Sequence, residues 1–191
     1  MEPKRLSPVL VTCFEPFGGR SVNMSREAVL SLPDAVCGRE VRKLCLPVAF
    51  GEAAETAKAE ALALGAGEIL CVGEAGGRKA LTPEMAALNL RYARIPDNRG
   101  QSPMDEPVIP GGPGALFSTL PARRMAEAMR AAGLPGEVSY SAGVYVCNDL
   151  FYGLLQFFRG GEVRCGFVHV PAEGFSASEL ARGLLAALEA I

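Results

Sequence analysis

The sequence predicts an α/β protein: one three-layer αβα catalytic domain over residues 1–191, built on a twisted sheet that is mostly parallel or mixed. Three observations lead there. Apolar, β-branched runs such as Pro8-Val9-Leu10-Val11-Thr12 read as strands buried on both faces. These runs alternate with stretches of helical period, the pattern of an α/β sheet. At 191 residues, 49% of them hydrophobic, the chain is long enough for one well-buried core and short for two.

The elements follow in order. After the first strand, Phe14-Glu15-Pro16-Phe17-Gly18-Gly19 opens a loop at its carboxyl end. Asn23 or Ser25 caps a helix that Pro33 ends. Residues 41–48 form a strand, Glu52 to Leu64 a helix closed by Gly65, and Glu68 to Gly73 the next strand, with Gly73 to Arg78 as its exit loop. Residues 84–94 lean to strand through the Leu88/Leu90/Tyr92 alternation. From Arg94 to Ser118, five prolines and four glycines predict a long loop that covers the site. A helix runs from Pro121 to Ala132, Glu137 to Ser141 is a strand, and Arg164 to Val170 is the last strand. Ser176 with Glu179 makes a capping box at the start of the last helix.

Net charge is −2 and no like charges run together, which disfavours a nucleic-acid partner. The first apolar run is too short for a signal or a membrane span, so a cytoplasmic chain with reduced thiols is expected, without a membrane partner. A single histidine excludes metal sites built on several imidazoles.

Six cysteines are present, and Cys147 stands apart. Val144-Tyr145-Val146 reads as a strand end, Asn148 and Asp149 as N-cap residues, and Leu150, Phe151, Leu154, Leu155 and Phe158 as the apolar face of a helix. A cysteine at a helix start meets unpaired amides and the positive end of the macrodipole, which favour a thiolate. Cys45, Cys71 and Cys165 sit in apolar strands, Cys37 follows a helix end, and Cys13 shares with Cys147 a place at a strand exit. His169, the only side chain whose ordinary pKa is near neutral, ends a strand, where ligands of open α/β sheets gather. Cys147 and His169 at one sheet edge would be the pattern of covalent acyl transfer. The residue that orients the imidazole stays open among Glu15, Glu74, Glu84 and Asp97, and Glu84 fits equally the first turn of a helix capped by Thr82.

Several separate motifs then occur in one order: Phe14-Glu15-Pro16-Phe17-Gly18-Gly19, Ala75-Gly76-Gly77-Arg78 with Glu84 and Asn89, Ala93 to Asn98, Ser118 to Pro121, Val146-Cys147-Asn148, Tyr152 to Leu155, and Gly166 to Pro171. On these the chain resembles the pyroglutamyl peptidase I family, cysteine peptidases that remove an N-terminal pyroglutamate. The resemblance implies a catalytic set of Cys147, His169 and Glu84, peptide substrates that begin with pyroglutamate, a cytosolic homotetramer and no cofactor or metal. It also implies a slot lined by Phe14, Phe17, Ile95, Tyr145 and Val146, with the backbone at Glu74 meeting the lactam and Arg94 assisting the helix-start amides at the oxyanion. The chain departs from the family at Cys13, Met24, Glu74 and Tyr145, where Gly, Pro, Gln and Phe are usual. A Glu74 carboxylate turned into the slot would disfavour a neutral ring. The rival readings are a cysteine amidase for another small acyl or lactam group, and a catalytically weak small-molecule-binding scaffold.

Overall fold

The computed structural model describes residues 6–191, so the reading of the first five residues lies outside it. Strand β1 (Val9–Phe14) leads to helix α1 (Met24–Leu30), then β2 (Ala35–Val36), β3 (Arg39–Leu46), α2 (Glu52–Leu64) and β4 (Glu68–Ala75). Four short strands follow, β5 (Thr82–Pro83), β6 (Ala86–Leu88), β7 (Arg91–Tyr92) and β8 (Met104–Glu106), and then β9 (Ala115–Phe117). The chain ends with α3 (Ala122–Ala131), α4 (Val146–Phe157), β10 (Arg164–Pro171) and α5 (Ala177–Glu189).

The main sheet has the order β2-β3-β1-β4-β10-β5, with β3, β1, β4 and β10 parallel and both edge strands antiparallel. Strands β1, β4 and β10 are buried on both faces because helices cover both. Val9, Val11, Leu70, Val168 and Val170 face α1, α3 and α5, while Leu10, Phe14, Ile69, Cys71 and Phe167 face α2 and α4. Local signals hold where they are strong. Asn23 caps α1, Gly65 closes α2 in the left-handed conformation, and Ser176 and Glu179 form the capping box of α5.

Three expectations are corrected. Residues 137–141 form no strand and make only isolated bridges, Leu81 with Gly136 and Glu84 with Ser139. No strand precedes Cys147 either: α4 starts at Val146, with Tyr145 as a cap whose side chain makes no capping hydrogen bond. The expected caps Asn148 and Asp149 lie inside the first turn, buried. Nor is the loop of residues 94–118 structureless, because β8 pairs with β7 and β9 with β6. The Asn89 side chain pins its middle by accepting from the Ile109 amide and donating to the carbonyls of Ile109 and Gly112. Among the described residues no helix is long and apolar enough to cross a membrane.

Sheet order positions the site. After β1 the chain turns to α1 on one face, and after the adjacent β3 it turns to α2 on the other. Diverging connections at the carboxyl ends of neighbouring strands leave a crevice there.

Candidate active site

A cavity of about 330 Å³ opens in that crevice. Phe14, Phe17, Arg20 and Asn23 from the β1 exit line it, with Val48 after β3, Glu74 and Gly76 from β4 and its loop, and Tyr145, Val146 and Cys147 at the start of α4. The helix start is held in place by its own first turn. Asn148 accepts from the Leu88 amide and donates to the carbonyls of Leu88 and Leu90. Asp149 accepts from the Gly51 amide at 2.7 Å and pairs with Arg91. Cys147 thus sits on a helix end fixed from two sides and is only partly buried.

Side-chain alternation puts His169 on the same face as Cys147. In β10, Cys165 and Phe167 face α4, and His169 follows two residues later, its ring 4.7 Å from that of Phe167. Across the sheet His169 pairs with Gly73, whose neighbours Ile69 and Cys71 also face α4. A β-carbon on Gly73 would stand 2.9 Å from the Cys147 sulfur. The sulfur therefore occupies the space above the strand next to His169, one strand spacing of about 4.8 Å away in the sheet.

The antiparallel edge strand β5 brings in the carboxylate. Thr82 pairs with His169 and Pro83 with Val168, and the Glu84 amide donates to the Phe167 carbonyl at 2.8 Å. Proline is tolerated because an edge strand can leave one side without donors. Glu84 Oε1 and His169 Nδ1 lie 2.7 Å apart. A carboxylate only accepts, so Nδ1 carries the proton and Nε2 is left as the basic nitrogen. The alternative in which Thr82 caps a helix does not form.

Of the four carboxylates open in the sequence, only Glu84 reaches His169. Glu15 accepts from the Val48 amide and the Asn98 side chain. Asp97 accepts from the amides of Phe50, Arg99 and Gln101. Glu74 pairs with Arg20 and accepts from the Met24 amide at 2.6 Å. Its carboxylate is thus turned toward the start of α1, and it uses an amide that the usual proline at position 24 would lack.

Burial acts on both reactive groups. It pushes the Cys147 thiol up to about 12, with the nearby Glu84 charge adding to the rise and the residue's own amide and Arg78 opposing it. It also pulls the His169 pKa below its ordinary value, against the hydrogen bond to Glu84. Desolvation therefore opposes the thiolate that the helix start favours, and the Glu84 charge adds to that opposition.

The other expected residues divide. Phe14, Phe17, Glu74, Tyr145 and Val146 line the cavity. The Tyr145 ring lies 5.4 Å from Phe17 and 5.2 Å from Phe50, and its hydroxyl donates to the Pro96 carbonyl at 3.2 Å. Arg94 and Ile95 do not line it. The turn closed by Asp97 carries them outward, and Ile95 is 46% exposed. No residue of 94–118 is among those lining this cavity, so the long loop expected to cover the site does not wall it. Cys13 faces the opposite side of the sheet from Cys147 and lies in register with Cys45, which is exposed rather than buried in its strand.

Sequence reasoning missed three contributors: Gly73, Phe50 and Arg78. The last had a signal, since it closes the Ala75-Gly76-Gly77-Arg78 motif, but nothing local tells what it reaches. Among the described residues no group of three His, Cys, Asp or Glu is placed to hold a metal ion.

Fold and site define a class: a three-layer α/β domain that presents a cysteine, a histidine and a carboxylate at the rim of its sheet, as cysteine hydrolases do. The pyroglutamyl peptidase family model matches residues 7–175. The pyrrolidone-carboxylate peptidase of Levilactobacillus brevis is 43% identical over 197 aligned positions, covering 96% of each chain. That of Escherichia fergusonii is 47% identical, covering 87% of this chain and 78% of its own. Among solved structures, pyroglutamyl peptidase I of Bacillus amyloliquefaciens superposes with a TM-score of 0.93 at 37% identity, over 97% of this chain and 96% of its own. The chain belongs to the pyroglutamyl peptidase family.

Proposed function

We propose that this chain removes an N-terminal pyroglutamyl residue from peptides by way of a thioester on Cys147. His169 Nε2 takes the thiol proton as the sulfur attacks the pyroglutamyl carbonyl, and Glu84 steadies the imidazolium that forms. The first amides of α4 have no helical acceptor and face developing negative charge on the oxygen. Collapse of the tetrahedral intermediate breaks the C–N bond, and His169 returns its proton to the departing amine. Water, deprotonated by His169, then hydrolyses the thioester and restores the thiol.

The observation that carries this reading is the convergence of the cavity, the Cys147 sulfur above Gly73, and the His169–Glu84 pair on one face of the sheet. Phe14, Phe17, Val48, Tyr145 and Val146 give the cavity a mostly apolar wall suited to a small uncharged ring. The Glu74 carboxylate, already paired with Arg20, leaves its backbone for the lactam amide. The test is release of a fluorophore from a pyroglutamyl amide. Wild type should turn over and Cys147→Ser should lose at least about 10³-fold; equal rates would end the reading.

The family resemblance further supports a cytoplasmic homotetramer in which residues 1–191 act as a single catalytic domain. Met104 and Phe117, 70% and 69% exposed, are candidates for burial between copies. Light scattering during size-exclusion chromatography tests the tetramer, and a monomer would refute it.

A further inference from the structure

We propose that Arg78 is a positioning residue for this reaction: it fixes Glu84 in the orientation that keeps the proton of His169 on Nδ1 and leaves Nε2 free for the Cys147 thiol. The proposal rests on the peptidase reading for its meaning, though not for its test.

Glu84 is fully buried, and its two oxygens are treated unequally. Oε1 lies 2.7 Å from His169 Nδ1 and 2.9 Å from Arg78 Nη2. Oε2 is buried with no hydrogen-bond partner. A buried carboxylate that loses its cation is strongly disfavoured, and Arg78 is the one guanidinium or ammonium within ion-pair distance of Glu84 among the described residues. Without it, a neutral imidazole would be the only partner of the charge. The carboxylate could then rotate, exchange its oxygens or offer no fixed acceptor to Nδ1.

The guanidinium is itself oriented. Its other terminal nitrogen, Nη1, donates to Thr82 Oγ1 at 2.6 Å. Thr82 is the register partner of His169 and its hydroxyl lies 3.4 Å from the His169 carbonyl. One planar fork therefore holds Glu84 and Thr82 together, and Thr82 in turn reaches the backbone of the histidine. A lysine supplies the charge as a single point and cannot hold both contacts in one plane. The Arg78 side chain, 26% exposed, closes the outer side of the buried carboxylate. It is delivered by Gly76 and Gly77, the latter at φ +80°, and Gly76 also lines the cavity beside Cys147.

Arg78 could instead be a bolt that merely fastens β5 to the loop, with no influence on the imidazole. Because the chain has one histidine, the two roles separate cleanly. The full chain labelled with ¹⁵N-histidine gives the tautomer of His169 directly from its ring-nitrogen shifts, at about pH 8 where imidazole is neutral. Wild type should show the proton on Nδ1. Arg78→Met should shift population to the Nε2–H form and lower kcat by roughly 10- to 100-fold with KM changed by less than about threefold. Arg78→Lys should recover part of both, and it stands in if the Met variant does not fold. The proposal is overturned if the folded variants keep the wild-type tautomer, or if kcat is unchanged while only the melting temperature falls. If wild type cleaves no pyroglutamyl amide, the peptidase reading fails, and the tautomer comparison still decides the role of Arg78.

Discussion

Cys147 and Gly73 share one space: the sulfur lies 2.9 Å from where a β-carbon on residue 73 would stand, and the end of the Phe167 ring is 2.8 Å from the same point. Only a residue without a side chain lets α4 settle that closely on β4. Since Gly73 is also the register partner of His169, this close approach sets the height of the sulfur above the strand next to the imidazole.

Gly73→Ala tests the relationship. The added methyl must displace Cys147 or the buried Phe167, at a cost of about 1–3 kcal/mol. A lower melting temperature and at least a tenfold lower kcat are expected. Wild-type kcat in this variant would show that the sulfur position is not critical.

The pH dependence of kcat/KM follows from the environment of His169. Burial lowers its pKa from 6.5 and Glu84 partly restores it. Neutral imidazole is the active base, so activity is lost as pH falls through this lowered value. The midpoint of the acid limb should therefore lie below pH 6.5. Glu84→Gln removes the raising contribution, which moves the midpoint to still lower pH and reduces the plateau. A midpoint that moves upward in the variant would contradict this assignment of charges.

Glu74→Gln should matter little. Glutamine still offers an oxygen to the Met24 amide, and the lost pair with Arg20 involves a side chain 46% exposed, worth at most about 1 kcal/mol. The kcat/KM for a pyroglutamyl amide should stay within about threefold of wild type. A change beyond tenfold would place the side chain against the substrate.

What the sequence made legible was whatever is written locally. The β1 run, the Gly65 stop and the Ser176–Glu179 box need only a few neighbouring residues, and the structure reproduces them. The corner at Cys147 was half legible. Its helix was visible in the period of Leu150 to Phe158, but Asn148 and Asp149 looked like caps because their partners, Leu88, Leu90, Gly51 and Arg91, are distant in sequence. Glu84 could not be chosen among four carboxylates, since its contact with His169 joins residues 85 apart through a two-residue edge strand. Spacing likewise said nothing of Arg78. The thiolate was half legible for another reason: the helix start that favours it is visible in the sequence, whereas the burial that opposes it arises only on packing.

The most direct test of the account is affinity labelling with a chloromethyl ketone built on the pyroglutamyl ring. Peptide mapping should find the label on Cys147 alone among the six cysteines, with turnover lost in step and free pyroglutamate slowing both. Inactivation with the label on another cysteine, or full turnover by protein labelled at Cys147, would contradict it.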